Sequence, residues 1–231
     1  MSPLKEDHMP REIDYLIKGY KNFRHRYFEK DKALYENLVT VGQRPRYLIV
    51  ACSDSRVDPA IILDCKPGDL FVIRNVANLI PPCEFDSHYH GTSAALEFGI
   101  CGLGIRDIII LGHSQCGGIS ALLENYKQST TFQNNSFLSK WVEIAKPACD
   151  KTIHDHPSLN TFEQADICAK HSLLSSLANL NTFSWIKENV DNGTLSLHAW
   201  YFDLNTGKII CFNERQQKFN DLDHSLESKS A

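Results

Sequence analysis

Several things are missing from this sequence of 231 residues, and each absence narrows what it can be. Uncharged apolar runs such as Ile108 to Gly112 are far shorter than the roughly 18 residues a membrane-spanning helix needs. There is no excess of positive charge. Lys and Arg number 24 against 28 Asp and Glu, a formal net charge of −4, which argues against binding a phosphate backbone as the main task. Internal repeats and low-complexity linkers are absent, and the opening residues Met1 to Asp7 lack the apolar core of a signal peptide. The expectation is a cytoplasmic protein with neither a membrane nor a nucleic acid as partner. What is present suffices for a sizeable core: 42% hydrophobic and 23% charged residues exclude a disordered or fibrous chain.

Eight cysteines then become informative. In a reducing compartment thiols serve packing, metal binding or catalysis, not disulfides. Cys65, Cys83, Cys101, Cys149, Cys168 and Cys211 read as packing thiols, which leaves Cys52 and Cys116 to explain.

Along the chain, residues 10 to 41 read as a helical arm, with Ile13, Leu16, Ile17, Tyr20, Phe23, Tyr27, Leu34 and Leu38 at three- and four-residue steps. Such an arm needs a surface to pack on. Three continuous apolar runs follow, Tyr47 to Ala51, Leu70 to Ile73 and Ile108 to Leu111, each the mark of a strand buried on both faces. Helices are expected over 92–103, 117–125, 136–149 and 161–190. The runs 195–202 and 208–212 flank Asn205-Thr206-Gly207 as a hairpin. The prediction is one α/β domain over 1–231, with a mixed, mainly parallel central sheet flanked by helices, an N-terminal helical arm, a C-terminal antiparallel hairpin and a frayed tail over about 220–231.

Open α/β sheets bind ligands outside the carboxyl ends of their strands. The first strand runs into Cys52-Ser53-Asp54-Ser55-Arg56 and the third into Gly112-His113-Ser114-Gln115-Cys116-Gly117-Gly118. Two thiols and one imidazole on adjacent loops are the protein ligands a catalytic zinc takes before water fills its fourth position. Packing thiols and a satisfied loop histidine would be the bland explanation, but it leaves Asp54 and Arg56 without a purpose. The pairs His88 with His90 and His154 with His156 sit in polar stretches without thiols and are expected to be solvated. Ser114 does not fit the Gly-x-Ser-x-Gly elbow of a serine nucleophile.

Together with Arg74-Asn75-Val76-Ala77-Asn78, these two segments resemble the signature segments of β-class carbonic anhydrases, in the right order over nearly the whole chain. The resemblance implies one Zn2+ per subunit held by Cys52, His113 and Cys116, and the interconversion of carbon dioxide and water with bicarbonate and a proton. Asp54 would accept a hydrogen bond from zinc-bound hydroxide, with Arg56 keeping it ionised and turned inward. Should that pairing fail, Asp54 would take the fourth zinc position itself, a closed state. For the substrate pocket the resemblance implies Gln43, reaching into a neighbouring subunit's site, with Phe71, Val76 and Phe98 as apolar walls. Phe98 stands where plant-type members carry a tyrosine. Gly117 and Gly118 would offer backbone N–H donors to an anion. A second branch of the family has a non-catalytic bicarbonate pocket of tryptophan, arginine and tyrosine. Here Ile49 and Phe202 occupy two of those positions and only Arg74 remains, so a plant-type, open site without that inhibition is expected.

Gln43 and the arm together imply a homodimer or homotetramer. Two other readings keep the same site: action on carbon disulfide or carbonyl sulfide, which would want a narrow tunnel, and a non-catalytic zinc-stabilised scaffold, which would want a fourth protein ligand.

Overall fold

A computed structural model describes residues 12–86, 88–126 and 136–222. The chain divides into two compact units, Met1–Arg44 and Pro45–Ala231. In the first, the expected arm is not one helix. Helix α1 (Glu12–Arg24) passes into a wider π-helical turn over His25–Lys30, and after Asp31 the chain continues as α2 (Lys32–Val41). Aromatic rings hold this break together, with Tyr35 stacked at 4.6 Å on Phe28 and edge-on at 5.7 Å to Phe23.

The second unit is built on a six-stranded sheet in the order β2-β1-β3-β4-β5-β6. Strands β1 (Tyr47–Cys52), β2 (Leu70–Asn75), β3 (Asp107–His113) and β4 (Ser196–Phe202) run parallel. Strands β5 (Ile209–Asn213) and β6 (Lys218–Asp221) close the edge antiparallel. The mixed, mainly parallel sheet with its C-terminal hairpin is therefore as expected. Pairing persists through Asp221, inside the stretch expected to fray, and residues 223–231 lie outside the described ones.

Alternation along the central strands assigns their two faces. Leu48, Val50, Ile108 and Ile110 pack into the main core under the helices, whereas Ile49, Ala51, Ile109 and Leu111 pack on the opposite face with Leu63, Leu70 and Trp200. Burial on both sides is why these runs carry no polar residue. From β1 the chain crosses to β2 on one side and later to β3 on the other. The ends of β1 and β3 thus form the switch point of the sheet, the place where such folds open a crevice.

The flanking helices are more broken than the sequence suggests. Four-residue α3 (Pro59–Ile62) follows β1, and α4 (Gly91–Glu97) ends in a π-turn over Phe98–Gly102. Helix α5 (Gly117–Tyr126) starts directly after Cys116. The stretch expected as 136–149 divides into α6 (Phe137–Val142), a tight turn over Glu143–Ala145, and α7 (Lys146–Asp155), with Pro147 in the first turn of α7. The stretch expected as 161–190 divides into α8 (Thr161–Leu180) and α9 (Ser184–Asp191) without any proline or glycine between them. Side chains end α8 instead: Thr182 Oγ1 donates to the Asn179 carbonyl at 2.6 Å and Asn181 Nδ2 to that of Leu177 at 3.0 Å.

Candidate metal centre

Cys52 ends β1, His113 ends β3, and Cys116 sits one short turn later at the entrance of α5. All three are buried, and one ligand atom from each lies within 4.8 Å of the others. The two sulfur atoms stand 4.0 Å apart. His113 Nδ1 lies 2.8 Å from the Ser114 carbonyl, which can only accept, so the proton sits on Nδ1 and the Nε2 lone pair is free. That Nε2 is buried and has no hydrogen-bond partner among the described residues.

The donor set asks for a cation. The Cys52 thiol has its pKa lowered, chiefly by its hydrogen bond with Cys116 and then by His113. Cys116 is pushed up by that same contact and by burial, although the N–H groups of Ile119 and Gly118 at the start of α5 point at its sulfur. Two neighbouring thiols that cannot both ionise, facing an unpartnered imidazole nitrogen, fit a tetrahedral zinc with one position left open. The backbone already favours a thiolate at Cys52, whose sulfur accepts from the N–H of Ala77 at 3.3 Å and of Asp54 at 3.5 Å.

Asp54 and Arg56 meet as a two-pronged pair, Nε to Oδ1 at 3.0 Å and NH2 to Oδ2 at 2.7 Å, and the Arg56 N–H adds a third bond to Oδ1. This pairing holds the Asp54 carboxyl well below the usual carboxylate range. Val76 opens a tight turn in which Ala77 and Asn78 take left-handed φ values of 62° and 48°. Asn75 holds that turn by exchanging hydrogen bonds with the Leu79 backbone, both at 2.9 Å. A Cβ on Gly118 would stand 2.7 Å from Val76 Cγ1, so only glycine lets α5 approach the turn this closely, while Gly117 faces open space.

Not every residue expected at the site is brought to it within one chain. Phe71 pairs with Leu48, four register positions before Cys52 pairs with Asn75, about 13 Å along the strands. Its ring packs on Phe98, centroids 5.9 Å apart, and Phe98 is half exposed. Gln43 belongs to the N-terminal unit. His88 and His90 lie apart from the cluster, His90 on Asp86 at 2.6 Å, and His154 bonds Asp155.

Arg74 has a role that the sequence alone did not reveal. Its Nε donates to the Cys52 carbonyl at 2.7 Å, NH2 to that of Asp54 at 2.8 Å, and NH1 to the Asp58 carboxylate at 3.0 Å. One guanidinium therefore ties down the whole ligand loop. An arginine at the end of a half-buried strand is the signal, since a charge placed there needs partners.

An open α/β sheet with a Cys2His cluster at its switch point defines a metal-binding class of α/β fold, with three protein donors for a metal that takes four. The family model described as carbonic anhydrase matches residues 47–209. The chain is 41% identical over 169 residues to the chloroplastic β carbonic anhydrase 5 of Arabidopsis thaliana, covering 73% of this chain and 54% of that one. It thus spans about half the length of that relative. A carbonic anhydrase of Synechocystis is 34% identical over 86% of this chain and 70% of its own. The solved β-carbonic anhydrase CcaA superposes with a TM-score of 0.83 at 32% identity, covering 90% of this chain and 91% of the other. The chain belongs to the β-class carbonic anhydrase family, and zinc is the metal that its Cys52, His113 and Cys116 donors fit.

Proposed function

We propose that this chain catalyses the reversible hydration of carbon dioxide to bicarbonate and a proton, with Cys52, His113 and Cys116 as zinc ligands. The observation that carries the reading is the open three-donor cluster with an ionised, arginine-held carboxylate beside it. Zinc supplies, when bound, a Lewis acid that acidifies water so that an oxygen nucleophile exists near neutral pH.

Asp54 is the catalytic acceptor: held by Arg56, its carboxylate takes the hydrogen bond of the attacking nucleophile and turns a lone pair toward the carbon. The engagement of this carboxylate with Arg56 supports our reading of an open site. Val76 gives an apolar wall suited to a substrate without net dipole; of the two glycines expected to offer N–H donors to the bicarbonate oxygens, we keep the exposed Gly117, because the Gly118 N–H is turned to the Cys116 sulfur. Gln43, Phe71 and Phe98 are assigned to the same pocket. Because Phe71 lies far along the sheet from its own Cys52 and Phe98 packs on Phe71, we read both, like Gln43, as acting across a subunit boundary, in a homodimer or homotetramer. All three donor groups of Arg74 are committed to the ligand loop, which supports a site without the second branch's bicarbonate pocket.

No helix among the described residues is long and apolar enough to cross a membrane, and no disulfide joins any of the cysteines among the described residues, which fits a reducing compartment that we read as the cytoplasm. Stopped-flow hydration by the zinc-loaded chain tests the proposal. An inactive zinc-loaded protein would defeat it.

A further inference from the structure

Gln115, between the ligands His113 and Cys116, has φ of +55°, a backbone state that a glutamine keeps only when its surroundings hold it. Two hydrogen bonds do so. Its N–H donates to Asp166 Oδ1 at 3.0 Å, and its carbonyl accepts from Arg56 NH2 at 3.2 Å. The Gln115 side chain adds a bond from Nε2 to Asn205 Oδ1 at 3.3 Å.

The peptide that carries the Gln115 N–H is also the peptide whose carbonyl, at Ser114, accepts from His113 Nδ1 at 2.8 Å. Asp166, half-buried on α8, and the His113 ring therefore grip opposite ends of a single peptide group. An acceptor oxygen on the N–H end fixes that group and, by polarising it, makes its oxygen a stronger acceptor, which holds the ring and aims Nε2 at the cluster. The next peptide along presents the Gln115 oxygen to Arg56, which in turn holds Asp54.

We propose that Asp166 is a positioning residue of the metal centre, acting through the two peptides that flank Gln115 to hold both the His113 ring and the Arg56 guanidinium. The inference rests on reading Cys52, His113 and Cys116 as zinc ligands. Asp166 touches neither metal nor substrate. It replaces, through a peptide, the direct carboxylate contact that ligand histidines commonly make.

The test uses the full-length chain and two readouts that need no substrate: zinc affinity by competition with a chelator, and the visible spectrum of the cobalt(II)-substituted protein at one fixed pH. Asp166→Ala should bind zinc about 10- to 100-fold more weakly and change the cobalt spectrum. Asp166→Asn keeps an acceptor oxygen in place and should stay within a few-fold of wild type with an unaltered spectrum. A merely structural loss on α8 would lower the melting temperature and leave the spectrum of the folded protein unchanged. If Asp166→Ala does not fold, Asp166→Ser, whose shorter side chain keeps its oxygen out of reach of the Gln115 N–H, takes its place. Wild-type affinity and spectrum in the alanine or serine variant would overturn the inference, as would equal losses in the alanine and asparagine variants. An inactive wild type would count against the hydration reading alone, because neither readout depends on turnover.

Discussion

The Asp54–Arg56 pair beside the metal centre and the Lys187–Asp191 pair on α9 share a shortest contact of 2.7 Å and little else. On α9 the partners are one helical turn apart, each more than half exposed, so the pair loses side-chain entropy for a screened attraction. At the centre the Asp54 side chain is 18% exposed and receives three bonds from Arg56, whose guanidinium also reaches the Gln115 carbonyl 59 positions away. The same charge chemistry is ornamental in one place and directional in the other. What separates them is attachment: the Lys187–Asp191 pair stays within one helical turn, whereas the Asp54–Arg56 pair is also fixed to the backbone of a distant segment.

The largest expected effect removes the centre itself. Cys116→Ser should bind no stoichiometric zinc and lose essentially the whole rate enhancement, about 10⁶-fold in a typical enzyme, as read by metal analysis and stopped-flow hydration. Next, Asp54→Ala should keep its zinc and lose about 10²-fold or more in kcat. Lys187→Ala is the control from the other region and should change kcat by less than twofold. Equal effects of Asp54→Ala and Lys187→Ala would erase the distinction between the pairs.

A smaller effect compares adjacent glycines. Gly118→Ala drives a Cβ into Val76, a β-branched side chain with little freedom to move, and should cost about 1–3 kcal/mol in urea unfolding. Gly117→Ala meets nothing within 4 Å and should unfold like the wild type. A destabilised Gly117→Ala with a neutral Gly118→Ala would mean that α5 does not pack on the 75–79 turn as described.

The same contrast between local and remote explains what could be read before any coordinates. Cys52, Asp54, Arg56, His113 and Cys116 lie in two short runs at the ends of apolar strands, so residue type and position alone expose them. The strands themselves also follow from local signals, because apolar continuity marks the buried ones and Asn205-Thr206-Gly207 marks the hairpin, whereas their order in the sheet does not. Arg74 and Asp166 act across 22 and 51 positions on backbone atoms, and a backbone acceptor leaves no trace in residue type. The break between α8 and α9 escaped for a related reason: Asn181 and Thr182 end the helix by turning their side chains onto carbonyls, which the apolar periodicity does not register. Phe71 reads as an apolar pocket wall from residue type alone, and only the register shows how far it stands from Cys52 within one chain.

The smallest predicted effect lies in the seam between α7 and α8, away from the metal. Thr152 Oγ1 gives its hydrogen to the Ala148 carbonyl at 2.8 Å and accepts from His171 Nδ1 at 3.0 Å. Burial, followed by the charge of Lys151, lowers the His171 pKa below its ordinary value of 6.5, so the folded state favours the neutral ring. Below that ordinary value the unfolded chain takes up a proton that the folded chain does not, so stability from this site is complete above about pH 6.5 and declines as the pH falls toward the folded value, then levels off. Thiol ionisation at Cys52 and Cys116 also makes unfolding pH-dependent, so the measurement is the difference between wild type and His171→Gln, both stripped of metal. Glutamine can still donate to Thr152 but carries no titrating proton. The variant should therefore lose less stability than wild type between about pH 7.5 and 5 in urea titrations, and parallel curves would show that His171 is not held neutral in the seam.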